Sequence, residues 1–318
     1  MDNHKHWTEN DIPDQQGRLA LVTGANSGLG FYTSRALAAK GAQVVMACRT
    51  MEKGQAAADL IRKDIPGASL QVMALDLANL VSVRAFAAGL KEGHARLNLL
   101  INNAGVMALP YRKTADGVGG SQFEMQFGTN HLGHFALTGL LLELLLAAGQ
   151  ARVVTVSSGL HTGGKINFDD LNSEHGYSRW GAYSQSKLAN LLFAYEMQQR
   201  LERGGYEAIS LAAHPGYAAT NLQAAGPDMD GNALQAAMMK LANRLFAQPA
   251  KMGALPSLYA ATAPDAQGCD YIGPGGFMGM RGYPQKARSS PASYDPQVAE
   301  RLWSVSERMT GVRYTALM

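Results

Sequence analysis

At 318 residues, with 47 % hydrophobic and 17 % charged side chains, the chain can bury one large core and suits a single α/β domain with an elaborated C-terminal part. Its 28 basic and 25 acidic side chains leave a net charge of +3, with no run of five like charges. That excludes an electrostatic footprint for nucleic acid or an anionic membrane surface. Two cysteines, Cys48 and Cys269, exclude a disulfide framework and a four-ligand zinc site, and they fit a reducing, cytoplasmic setting.

Residues 1–16 are a polar N-terminal extension without the basic and apolar regions of a signal peptide. Residues 17–318 then read as one domain. Leu19–Thr23 is a short apolar run and predicts a buried strand. A helix is expected over Leu29–Lys40, ended by Gly41. Strands follow at Gln43–Cys48, Leu70–Ala74 and Leu97–Ile101, separated by helices over Glu52–Lys63 and Leu80–Lys91. Phe123–Leu146 predicts one long helix, Arg152–Val156 a strand, Gly181–Arg203 a helix and Ala208–Ala213 a strand. The longest apolar stretch, Leu137–Ala148, is interrupted by Glu143 and is too short to span a bilayer. Residues 221–250 hold an Ala- and Met-rich helical pattern, read as a substrate lid. Met229, Met238 and Met239 there suit either a pliable pocket lining or helix packing. A helix over Lys251–Ala261 and a strand near Asp270–Ile272 complete the series. Apolar strands alternating with helices predict an α/β Rossmann-type doubly wound sheet of about seven parallel strands, covered on both faces.

The first strand runs into Thr23-Gly24-Ala25-Asn26-Ser27-Gly28-Leu29-Gly30. Gly24 permits a tight turn, and Gly28 and Gly30 allow phosphate and backbone to approach a helix N-terminus. Taken alone, the same glycines also suit an ordinary βα turn. An acid about 20 residues further on would bind the ribose 2′-OH of NAD. Cys48 stands there, followed by Arg49, whose guanidinium suits a 2′-phosphate. NADP(H) is therefore expected over NAD(H).

Tyr183 and Lys187 lie one helical turn apart, so an ammonium stands beside a phenol. Such a charge favours phenolate and is expected to lower the tyrosine pKa from about 10, as general acid–base work requires. The fifth strand ends in Val156-Ser157-Ser158, and either hydroxyl at a strand C-terminus can hydrogen-bond a substrate carbonyl. His131 and His134 sit three apart on a helix, but no third metal ligand is evident, so no metal is expected. Leu188, Leu192 and Phe193 make the Tyr183 helix apolar on more than one side. This reads as core burial or as an oligomer contact, which together with the Phe123–Leu146 helix would give a homodimer or homotetramer.

TGANSGLG, the NNAG of Asn102–Gly105, TNHLGHF at Thr129–Phe135, VSS, YSQSK and HPGYAAT, in this order and spacing from about Gly17 to Thr220, resemble the short-chain dehydrogenase/reductase family. The run ACR after the second strand, His161 three residues after the second serine, and YSQSKLAN resemble its retinol-dehydrogenase-like branch. The resemblance implies that Tyr183 transfers the proton. It implies that Lys187 lowers the tyrosine pKa and binds the nicotinamide ribose, and that Ser158, not Ser157, orients the substrate oxygen. Asn130 is implied to hold a water that links Lys187 to solvent. By the same resemblance Gly24, Asn26, Ser27, Gly28, Leu29 and Gly30 carry the pyrophosphate and Arg49 the 2′-phosphate. Asp76 and Leu77 then flank the adenine, Asn103, Ala104 and Gly105 the adenosine ribose, and Pro215, Gly216 and Thr220 the nicotinamide amide. Two departures stand out: Val118–Gln122 is an insertion near the Asn130 helix, and Cys269 replaces a usual glycine. The implied activity is hydride transfer between NADP(H) and a carbonyl or alcohol on a lipophilic small molecule, such as a retinoid, steroid, aromatic ketone or aldehyde. A non-catalytic NADP(H)-sensing or scaffold protein on the same fold is the alternative. The four polar positions, all present, argue against it.

Overall fold

The computed structural model describes residues 6–115, 122–218 and 247–317. Thr220, most of the expected lid and residues 118–121 of the insertion lie outside them. The strands are β1 (Leu19–Thr23), β2 (Gln43–Cys48), β3 (Leu70–Ala74), β4 (Leu99–Asn102), β5 (Arg152–Val156), β6 (Ile209–Ala213), β7 (Tyr271–Pro274) and β8 (Pro284–Ala287). They form a single sheet in the order β3-β2-β1-β4-β5-β6-β7-β8. All neighbours are parallel except β7 and β8. The sheet is thus doubly wound, and an antiparallel edge strand adds to the seven parallel ones. Chain order reverses at β1, which lies between β2 and β4, and a switch point of this kind opens a crevice at the strand C-termini.

Alternation along each strand divides the core in two. Leu19, Leu21, Val45, Ala47, Leu100 and Val153 face one side. Ala20, Val22, Val44, Met46, Leu99, Ile101 and Val154 face the other. A strand buried on both faces needs apolar residues at every position, which is why these strands read as continuous apolar runs. Helices α1 (Gly28–Ala39), α2 (Met51–Asp64) and α8 (Ala250–Thr262) line the second face. The first face carries α3 (Leu80–Gly93), α5 (Gly133–Leu140), α6 (Leu142–Ala147), α7 (Arg179–Arg203) and the C-terminal α9 (Pro296–Thr310).

The expected long helix over Phe123–Leu146 is broken. A short α4 (Met125–Phe127) passes into a π-helical turn, Gly128–Leu132, before α5, and Leu141 separates α5 from α6. Widened turns of this kind gather at functional positions, and Asn130 lies within this one. Leu188, Leu192 and Phe193 are at most 3 % exposed, and Phe193 stacks on Trp303 of α9 at 5.8 Å. The apolar pattern of α7 is therefore satisfied inside the chain. The N-terminal segment is docked as well. Trp7 packs edge-on to Tyr259 of α8, Ile12 is buried, and Glu9 pairs with Lys251 at 3.3 Å.

Candidate active site

The glycine-rich turn wraps the end of β1. Gly24 and Gly28 have φ of +66° and +54°, left-handed values that favour glycine. A Cβ on Gly30 would collide with the Gly24 carbonyl and come within 2.7 Å of Asn103 Nδ2. The turn thus lies directly against the end of β4, and α1 begins with Ser27 as its N-cap, the serine hydroxyl making no capping bond. The first N–H groups of α1 are left without that partner. Thr23 joins β1 to β4: its hydroxyl accepts from the N–H groups of Asn103 and Ala104, both at 2.9 Å. Asn103 Nδ2 donates to the Thr23 carbonyl at 2.7 Å, while its Oδ1 is buried with no partner among the described residues. A glycine cradle, a helix N-terminus and an orphaned amide oxygen fit a dinucleotide with a hydroxyl-bearing ribose and a pyrophosphate.

The remaining predicted cofactor residues stand on the same rim of the sheet. Arg49 is exposed just beyond β2. Burial pushes the Cys48 thiol up to about 11, against a smaller opposite pull from the N–H groups of Ala25 and Asn26, so the sulfur is neutral at pH 7. Asp76 follows β3, and its Oδ1 accepts from Ala78 N–H at 2.9 Å. A Cβ on Gly133 would meet the Leu77 carbonyl, which seats α5 against this turn. Beyond β6, Gly216 has φ +64° and donates its N–H to His214 Nδ1 at 3.3 Å. The Pro215 carbonyl accepts from Gln248 Nε2 at 2.7 Å. Leu29 and Asn26 ride with the glycine turn.

At the end of β5 the two serines divide. Ser157 Oγ donates to the Lys187 carbonyl at 2.8 Å and is buried. Ser158 Oγ instead accepts from Leu160 N–H at 3.3 Å and stands close enough to the Tyr183 phenol to pull its pKa down. Tyr183 and Lys187 are 4 % and 3 % exposed, and Lys187 Nζ lies 5.7 Å from the Tyr183 ring centroid. Asn130 closes the group from the π-helical turn. Its Nδ2 donates to the Val106 carbonyl and to Ser186 Oγ, both at 2.9 Å, and its Oδ1 accepts from Val106 N–H at 2.8 Å. Ser186 Oγ donates in turn to the Tyr183 carbonyl at 2.7 Å. Gly105 is wedged between the two: a Cβ there would lie 3.1 Å from Asn130 Oδ1 and 3.6 Å from Lys187 Nζ. Ser158, Tyr183, Lys187, Asn130 and Gly105 are thus brought together.

The expected lowering of the tyrosine pKa is not found. Burial pushes the Tyr183 phenol up to about 12, with the Ser158 hydrogen bond pulling the other way, and burial brings Lys187 down to about 8. The reason is burial of both groups, which penalises each charged form. Lys187 Nζ donates to the Val156 carbonyl at 3.1 Å, which holds the ammonium against the end of β5. The two histidines have structural partners. His134 links the Asn130 carbonyl, 3.0 Å from Nδ1, to the Thr23 hydroxyl, 2.9 Å from Nε2, and His131 Nε2 meets Ser306 Oγ at 2.8 Å. Sequence reading overlooks Trp180, 47 % exposed with its ring edge-on to Tyr183 at 6.4 Å. Its position three residues before Tyr183 on the same helix was the available signal.

Comparison with known proteins agrees with this arrangement. A family model described as short chain dehydrogenase matches residues 18–230. The chain is 42 % identical over 309 residues to retinol dehydrogenase 14 of Homo sapiens, covering 93 % of this chain and 87 % of that protein. It is 38 % identical over 307 residues to polyprenol dehydrogenase of Danio rerio, with 95 % and 90 % covered. A crystal structure of an uncharacterized protein from Mycobacterium paratuberculosis is 44 % identical, with TM-score 0.79 and 98 % and 99 % covered. The chain therefore belongs to the short-chain dehydrogenase/reductase family of NAD(P)(H)-using oxidoreductases, in its retinol-dehydrogenase-like branch.

Proposed function

We propose that the protein is an NADP(H)-dependent carbonyl reductase or alcohol dehydrogenase for lipophilic substrates, in which Tyr183 transfers the proton. The observation that carries this reading is a buried Tyr183 with half-buried Ser158 beside its phenol and buried Lys187 one turn along the same helix. A nicotinamide held by the Gly24–Gly30 turn, Asn103 and the Pro215–Gly216 turn supplies or accepts the hydride. The protein's own part is to place an oxygen atom and handle a proton. With Ser158 Oγ beside the Tyr183 phenol, one substrate carbonyl oxygen can accept from both hydroxyls. A phenol pushed up to about 12 is fully protonated at pH 7, which is the form a reductase needs for donation. Once the proton has left, the phenolate lies near a lysine that is mostly charged at pH 7. Asn130 fixes Tyr183 from behind through Ser186.

Cofactor choice rests on Arg49 at the end of β2, beside a sulfur that burial keeps neutral. Nothing anionic at that strand end repels a 2′-phosphate, and a guanidinium can clamp one. A lipophilic substrate is supported by exposed apolar side chains at the rim. Trp180 adjoins Tyr183, and Phe277 (72 % exposed), Met278 (82 %) and Met280 form a loop whose Met280 carbonyl accepts from Tyr217 N–H at 2.7 Å. The named substrates of the relatives, retinol and polyprenol, are of this class.

The test is Tyr183→Phe, assayed with NADPH against a panel of retinoid, steroid and aromatic carbonyls. General acid catalysis contributes about 10²–10⁴-fold, so kcat is expected to fall by that factor while NADPH affinity changes little. Retention of more than about a tenth of turnover, on a substrate limited by chemistry, overturns the assignment.

A further inference from the structure

The Ser158 hydroxyl can orient a substrate oxygen only if its own backbone is fixed, and that backbone lies on a 3₁₀ turn, Gly159–Gly163, immediately after β5. The hydroxyl itself accepts from Leu160 N–H at 3.3 Å, and His161 holds the carbonyl. The Ser158 carbonyl accepts from His161 N–H at 3.0 Å and from His161 Nδ1–H at 2.6 Å, so a single residue fills both lone pairs. His161 is in turn held from the far side, because Ser290 N–H, beyond β8, donates to Nε2 at 3.0 Å. These two bonds fix one neutral tautomer, with the proton on Nδ1. The ring is 3 % exposed and stands edge-on to Tyr271 of β7 at 5.6 Å, and Tyr271 is itself stacked on His214 at 4.9 Å. The imidazole has no freedom to turn, and it touches neither the phenol nor the glycine-rich turn.

We propose that His161 is a positioning residue that sets the Ser158 hydroxyl against Tyr183 by locking the Ser158 carbonyl, with Ser290 as its anchor. This rests on the reading of Ser158 and Tyr183 as the oxygen and proton site. With ψ of Ser158 pinned at 153°, the hydroxyl is aimed by its χ1 and by the Leu160 N–H that it accepts from at 3.3 Å. Without the lock the turn can swing, and the substrate oxygen loses one of its two donors. Displacement of a donor by about 1 Å is enough to lower a rate roughly 10²-fold. The effect belongs on kcat for the carbonyl substrate and not on cofactor binding, because no atom of His161 faces the Gly24–Gly30 turn.

Three substitutions test this on the intact chain: His161→Leu, His161→Gln and His161→Asn. An asparagine amide nitrogen reaches the place of Nδ1, and a glutamine amide does not. For Leu and Gln, kcat is expected to fall at least tenfold with the NADPH dissociation constant, read by fluorescence, within twofold of wild type. Asn is expected to recover to within threefold of wild-type kcat even where its melting temperature is no higher than that of Leu. If kcat of the three variants simply follows their melting temperatures, or if Leu stays within twofold of wild type, the proposal is wrong. Should His161→Leu fail to fold, Ser290→Pro replaces it. Ser290 has φ −69°, which proline adopts, so the anchoring N–H is removed without strain at that residue, and the hydroxyl lost with it has no partner among the described residues. A kcat drop of at least threefold supports the proposal, and an unchanged kcat overturns it. An active Tyr183→Phe enzyme would sink the site reading itself, so the two failures are distinguishable.

Discussion

Arg49 is where a single side chain is assigned the choice between two cofactors. It stands exposed beyond β2, next to a thiol that burial holds neutral. A charge-assisted hydrogen bond is worth about 1.5–3 kcal/mol. Arg49→Ala is therefore expected to lower the ratio of NADPH to NADH catalytic efficiency by about tenfold or more. A wild-type enzyme that prefers NADH in the same assay would overturn the NADP(H) reading. The neighbouring proton site shows burial overriding charge. Tyr183 and Lys187 are moved in opposite directions, each toward its neutral form, because a water-poor pocket penalises both ions. The spacing of a phenol and an ammonium on a helix was legible in the sequence. The lysine's engagement by the Val156 carbonyl was not, since it depends on how closely α7 packs on β5.

Strands buried on both faces declare themselves as apolar runs, and β1, β2 and β5 have the boundaries their sequences predict, as does the half-exposed edge strand β3. Elements whose signal is not apolar fare differently. The β8 segment Pro-Gln-Lys-Ala is polar with a mostly solvent-exposed middle, as suits an edge strand, and no strand is predicted for it. Helix α9 has clear end signals, with Asp295 capping Gln297 and Val298, Pro296 at the first turn and Gly311 in the left-handed region at its end, yet no helix is predicted there. The π-helical turn around Asn130 has no hydrophobic signature at all. Cys269 is a clearer case: the glycine usual there has a physical reason, since Cys269 sits at φ +63° in the turn before β7. Its thiol lies 4.0 Å from the Tyr195 carbonyl, and the side chain packs against the Leu191, Tyr195 and Tyr271 cluster. Cys269→Gly is expected to change unfolding free energy by less than about 1 kcal/mol, because backbone relief offsets lost packing. Cys269→Val forces a β-branched side chain into the same conformation and is expected to destabilise by about 1–2 kcal/mol. Urea unfolding of the pair distinguishes them, and a valine variant as stable as the glycine variant would show that the turn tolerates branching.

Across the whole molecule, the C-terminal helix completes the core that the Tyr183 helix begins. Trp303 is 2 % exposed and meets Phe135 at 5.2 Å, Phe193 at 5.8 Å and Tyr314 at 4.5 Å, with the Arg200 guanidinium 4.5 Å from its ring. Truncating a buried aromatic costs about 3–5 kcal/mol. Trp303→Ala is expected to lower the melting temperature by at least about 6 °C, at roughly 2–4 °C per kcal/mol for a chain of this size, and to leave NADPH affinity of the folded enzyme unchanged. A melting temperature within 2 °C of wild type would mean that α9 is not integral to the core. The seal extends past α9. The Tyr314 hydroxyl donates to the Phe135 carbonyl at 2.6 Å, and a Cβ on Gly139 would lie 2.7 Å from both Tyr314 and Val312. This gives biosynthesis an unprotected interval. At 5–20 residues per second, roughly ten seconds of translation separate the end of α7 from Tyr314, and throughout it the apolar face of α7 waits for a partner the ribosome has not yet released. The nascent chain therefore exposes an apolar face that the finished enzyme covers.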